Sequence, residues 1–104
     1  MSTKTKSQAM KYMDKIIGSP MTIGSELQAY RMAEDVNQEK LAKKLGISRV
    51  HLSQIERGKK FLSPERAAAF ARKLGYSERV FLELCFQDQL NRANMRYKIK
   101  LEAA

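Results

Sequence analysis

Residues 38–59 read QEKLAKKLGISRVHLSQIERGK, and this stretch decides the fold. Eight residues, Gln38–Leu45, carry Leu41 and Leu45 at helical spacing behind a capping Asn37 and ahead of Gly46. Ser48 then caps a second run, Arg49–Arg57, stopped by Gly58. A corner this tight needs a backbone conformation with positive φ, which glycine adopts without a steric penalty. Ala42 is small where the two helices cross closely, and Leu41, Leu45, Ile47, Leu52 and Ile55 form the inner face. Arg49, Val50, Ser53 and Gln54 fall at i, i+1, i+4 and i+5, on the side opposite Leu52 and Ile55.

Moving outward, the same signals recur. Thr22 caps a helix in which Ile23, Leu27 and Tyr30 repeat, ending near Glu34. Ser63 with Pro64 at the first helical position opens a helix to Leu74, stopped by Gly75, and Ser77 opens another that runs to about Arg92. Short links between them predict a compact all-α bundle of five helices. The last of these is apolar nearly all round from Val80 to Phe86, which suggests one face on the bundle and another on a second subunit. Met95, Tyr97, Ile99 and Leu101 alternate with charged residues, the signature of a short C-terminal β-strand. Such a strand needs a partner for its backbone: a second copy, the N-terminal arm or another protein. Upstream, Ala9, Met10, Met13, Ile16 and Ile17 fit either a short helix or a basic arm, with Gly18-Ser19-Pro20 as a linker. Three regions result: residues 1–20, the arm; 21–76, the central helices; and 77–104, a helix and strand for dimerisation.

The chain of 104 residues has room for one small domain. Its net charge of +9 favours a polyanionic partner, nucleic acid before an anionic membrane. The charge is concentrated: residues 40–60 hold Lys40, Lys43, Lys44, Arg49, Arg57, Lys59 and Lys60 against Glu56 alone. The single cysteine, Cys85, excludes an internal disulfide and reads as a small core residue; one His and one Cys argue against a zinc site. The methionines read as core filler, and His51 as a surface histidine beside the Arg49–Gln54 face. No apolar run is long enough for a membrane span and the N-terminus lacks a secretory signal, so a cytoplasmic setting is expected. No nucleophile–base pair, phosphate loop or metal cluster points to an enzyme or to a cofactor.

Two helices about a glycine corner, the second with a polar outer face, make a helix-turn-helix. The stretch from Ile23 to Gly75, and the quoted core above all, resembles the lambda-repressor-like (Cro/repressor, XRE) helix-turn-helix family. The matching features are a Gln opening the first helix, Leu-Ala on its inner face, Gly at the turn and an Ile-Glu-x-Gly-Lys ending. The resemblance implies that Gln38 bonds a phosphate and that Ser48 caps the second helix and touches the DNA backbone. It implies further that Arg49, Val50, Ser53 and Gln54 enter the major groove, that Arg57, Lys59 and Lys60 sit over flanking phosphates, and that Arg31 pairs with Glu56 between helices. Chemistry agrees independently: Arg and Gln read guanine and adenine in bidentate fashion, and Val50 suits a thymine methyl.

The leading expectation is therefore a transcriptional regulator of double-stranded DNA. It would be a dimeric repressor reading a palindromic operator, with the dimer built from helix 77–92 and strand 95–101. The alternative is an antitoxin that also represses its own operon, its strand or arm holding the toxin. A basic protein binding RNA or membranes through nonspecific charge is the third reading, and it predicts no preference among DNA sequences.

Overall fold

The computed structural model describes residues 21–104; the arm or short helix expected over 1–20 lies outside them. Five helices follow one another: α1 (Ile23–Glu34), α2 (Gln38–Leu45), α3 (Arg49–Glu56), α4 (Pro64–Leu74) and α5 (Glu78–Arg92). Each starts where a short polar side chain takes up a free backbone N–H. Thr22, Asn37, Ser48, Ser63 and Ser77 accept from the amides of Ser25, Lys40, His51, Arg66 and Val80 respectively. At α1 the arrangement is reciprocal, because the Ser25 hydroxyl accepts from the Thr22 amide at 2.9 Å.

The helix ends are equally local. Gly46 closes α2 at φ 76°, its amide and that of Ile47 folding back to the carbonyls of Lys43 and Ala42. At the end of α1 no glycine is available, and Asp35 takes the left-handed conformation at φ 54°.

Leu27, Leu41, Leu52, Phe70 and Phe81 are the centre of one core, to which every helix contributes. Full burial of side chains this size stabilises by about 1.5–3 kcal/mol apiece. Of the inner face expected for α2 and α3, Leu41, Leu45, Leu52 and Ile55 are buried, while Ile47 at the corner is half-buried. Tyr76 extends the core by stacking on Phe81 (centroids 5.3 Å apart) and meeting Tyr30 edge-on. Cys85 is a core residue as expected: its thiol donates to the Leu62 carbonyl at 3.0 Å, and burial pushes its pKa up.

The expected C-terminal strand is corrected. Residues 95–104 form no strand, and none exists among the described residues. The segment lies against α5 instead. The Ile99 amide donates to Gln87 Oε1 (2.8 Å), the Leu101 amide donates to Glu83 Oε2 (2.9 Å), and Gln87 Nε2 donates to the Tyr97 carbonyl (2.7 Å). Gln87 and Glu83 lie one turn apart, so their spacing matches two residues of extended chain. Alternation is real, with Ile99 and Leu101 half-buried, but helix side chains take the place of a neighbouring strand. The same contacts cover one flank of the helix that reads as apolar nearly all round. Fully buried within α5 are Phe81 and Cys85; Leu82 and Leu84 pack against the core, and Val80 stays exposed.

Candidate nucleic-acid interface

α3 presents two unlike sides. Leu52 and Ile55 are 0% and 2% exposed, whereas Val50 is 56% exposed, a sidedness that leaves the polar row open to a partner. Arg49 is exposed beside Val50, and Ser53 and Gln54 are half-buried one turn further on. Helical spacing puts these four on one face, and the structure brings them together there. Ser48 accepts from the His51 amide, which leaves its hydroxyl proton free to donate outward. At the far end Arg57 follows as the C-cap, and the Lys59 amide donates to the Gln54 carbonyl at 2.8 Å. That bond holds the exposed Lys59 and Lys60 close to the end of the helix.

Gln38 is more constrained than its expected phosphate contact suggests. One N–H of its amide donates to Glu56 Oε1 (3.0 Å), and its Oε1 accepts from Arg49 Nη1 (3.4 Å). By valence, a second N–H on the same nitrogen remains for a phosphate. Glu56 is the hub. Arg31 grips it through two bonds, Nε to Oε2 at 2.8 Å and Nη2 to Oε1 at 2.9 Å, with the Glu56 side chain only 2% exposed. Were the pair broken by removing one partner, an uncompensated buried charge would cost about 3–5 kcal/mol. The chain Arg31–Glu56–Gln38–Arg49 thus ties α1, α2 and the outward row of α3 into one unit.

Two further interactions lie beyond sequence reasoning. Gln28 Nε2 donates to the Glu56 backbone carbonyl at 3.1 Å. Gly24 lies so close to the end of α3 that a Cβ there would stand 2.6 Å from the Ile55 carbonyl oxygen and 2.7 Å from that of Glu56. Gly24, Gln28 and Arg31 fall at i, i+4 and i+7, a stripe of α1 that seats α3. A glycine inside a helical pattern is the one signal that marks such a close approach in advance.

The electrostatics favour an anion. Lys40, Lys43, Arg57, Lys59 and Lys60 are exposed, and Lys44 donates to the Tyr30 hydroxyl at 2.9 Å. Partial burial, then the positive fields of Arg66 and Lys60, lower the pKa of His51, so its imidazole is neutral at neutral pH. No helix among the described residues is long and apolar enough to cross a membrane. A family model described as helix-turn-helix matches residues 27–81, more than half of the chain and the whole of α2, α3 and α4. No curated protein and no solved structure matches.

Proposed function

Since the chain belongs to the helix-turn-helix family of the Cro/repressor type and is a DNA-binding transcriptional regulator by that membership, we propose that it is a sequence-specific repressor. It lays α3 in the major groove of a palindromic operator as a homodimer. The observation that carries this reading is the outward row Arg49, Val50, Ser53 and Gln54, backed by buried Leu52 and Ile55 and held in place through Gln38 and Glu56. Arg49 and Gln54 are the base-reading side chains, Val50 meets a thymine methyl and Ser53 adds a hydroxyl to the same edge. Ser48, the remaining N–H of Gln38, Arg57, Lys59 and Lys60 bond or neutralise phosphates on either side. Repression follows from occlusion of the promoter.

Selection of bound sequences from random duplex DNA tests the reading. An inverted repeat with half-sites about one helical turn apart, roughly 34 Å, is the expected result. Recovery of unrelated sequences with equal affinity would leave only nonspecific charge and reject the proposal.

The antitoxin reading draws support from a separate observation. Met95 and Tyr97 are 51% and 71% exposed on an extended segment, an arrangement suited to a protein partner. A second copy is the occupant the homodimer proposal assigns to it, and a toxin is the alternative.

A further inference from the structure

We propose that His51 and Arg66 join Lys60 in holding one backbone phosphate of the DNA, across α3 from Gln38, and that His51 takes up a proton from solvent as that phosphate arrives. This rests on the DNA-binding reading and adds to it two contacts and a dependence on pH.

Helix geometry sets the place. Arg49 leans toward α2, where its Nη1 donates to Gln38 Oε1 at 3.4 Å. Two residues further on is a rotation of about 200° about the axis, so His51 lies on the other flank of α3. One turn beyond it stand Gln54 of the outward row and buried Ile55, so His51 is at the boundary between the two sides and is half-buried. The positive charges that act on it come from Arg66 and from Lys60, in the loop between α3 and α4. Arg66 is exposed in the first turn of α4, its amide donating to the capping Ser63 hydroxyl at 3.1 Å.

Three basic side chains thus meet from α3, the loop and α4. None of the ion pairs among the described residues includes Lys60, Glu65 or Arg66. Glu56, the acid of α3, is buried and taken by Arg31 and Gln38, and Arg57 donates to the Ser53 carbonyl. Cations gathered without a counter-charge raise the local potential, and a phosphate is the anion this flank meets when α3 enters the groove. Without DNA, partial burial and then the fields of Arg66 and Lys60 disfavour the charged imidazole. A phosphate offsets those fields and accepts from the second ring N–H that protonation creates, so the proton is held more tightly in the complex. DNA affinity accordingly rises as pH falls through the pKa of the complex and levels off below that of the free chain.

The chain has a single histidine, so its imidazole Cε1–H resonance is unambiguous. That resonance is titrated from about pH 8 to about pH 5 in the full chain, alone and with excess duplex DNA, beside fluorescence anisotropy of DNA binding over the same range. Three results support the proposal. The His51 pKa rises on DNA binding by about one unit, with affinity growing up to about tenfold per unit. His51→Gln removes that growth while leaving Asp88, the other group titrating near pH 6, in place. Arg66→Ala raises the His51 pKa in the free chain and, on DNA, lowers the salt slope by about 0.9. Unchanged ¹⁵N spectra away from the substituted positions show that both variants fold. DNA bound with no change in the His51 pKa, a pH dependence that survives in His51→Gln, or a free-chain pKa indifferent to Arg66→Ala would overturn the proposal and leave the regulator reading standing. Failure to bind any duplex at any pH would overturn both.

Discussion

At the scale of single residues, two positions away from the exposed row of α3 have consequences for stability. Gly24→Ala adds a methyl group against the carbonyls that end α3, and backbone atoms have little room to yield. Alanine gains about 1 kcal/mol of helix propensity over glycine, but overpacking costs about 1–3 kcal/mol or more, so the variant is less stable and tilts α3. Urea denaturation checks the first effect, and weaker binding to operator and random DNA alike checks the second. Asp88 makes a pH-dependent prediction. Burial raises its pKa from 3.8 to about 6, despite the bond from the Ile23 amide, so the folded protein binds a proton more readily than the unfolded chain. Its contribution is most favourable below about pH 4 and is lost as pH rises through about 6. Asp88→Asn is therefore more stable than the parent at pH 7, by about 1 kcal/mol once solvent screening is allowed for. That advantage shrinks on acidification between those two values. Thermal melts across the range decide it, and a constant difference would rule the titration out. The role of Asp88 is not readable from sequence, and that of Gly24 shows only as a glycine within a helical pattern, because Gly24 meets α3 and Asp88 meets Ile23 only after the chain has folded back across tens of positions.

At the scale of elements, what is legible in the sequence is what local physics controls. Caps at Thr22, Asn37, Ser48, Ser63 and Ser77 and stops at Gly46 and Gly75 depend on neighbours within four residues, so they appear in the sequence as they do in the fold. The exposed row of α3 is legible for the same reason, since one helix period sorts Arg49, Val50, Ser53 and Gln54 from Leu52 and Ile55. Residues 95–101 depart from the expected strand because period-two alternation reports an extended chain, not its partner. Here Gln87 and Glu83 of α5 bind the backbone that a second strand would have bound. Function at this scale separates two kinds of side chain on and beside α3. Arg49→Ala or Gln54→Ala costs about 1–3 kcal/mol on the selected operator and little on random DNA. Lys59→Ala and Lys60→Ala weaken both alike and reduce the slope of log affinity against log salt by about 0.9 for every phosphate no longer neutralised. Equal losses on both DNAs for the Arg49 and Gln54 variants would refute base reading while leaving the electrostatic attraction intact.

At the scale of the whole molecule, one copy of α3 offers four outward side chains, enough to read only a few base pairs. Each correct pair contributes about 1–3 kcal/mol of discrimination, too little for a single copy to select one operator from a genome of competing sites. Pairing two copies about a two-fold axis doubles that discrimination, and the charge of +9 on each chain supplies the nonspecific attraction. The surface left for the pairing is narrower than an all-round apolar α5 implies, because the chain's own C-terminal segment occupies one flank. Val80, at 39% exposure in the first turn of α5, and Met95 and Tyr97 on that segment are large apolar side chains still open on this helix and the chain that follows it. If they form the subunit contact, light scattering at tens of micromolar gives twice the mass of one chain. Tyr97→Asp and Val80→Asp then shift the population to single chains without a matching loss in thermal stability, because exposed positions tolerate substitution within about 0.5 kcal/mol. Binding to a half-site persists in those variants, while cooperative binding to the inverted repeat is lost. A parent chain that sediments as a single copy and still occupies the full repeat would place the pairing on the DNA rather than at α5.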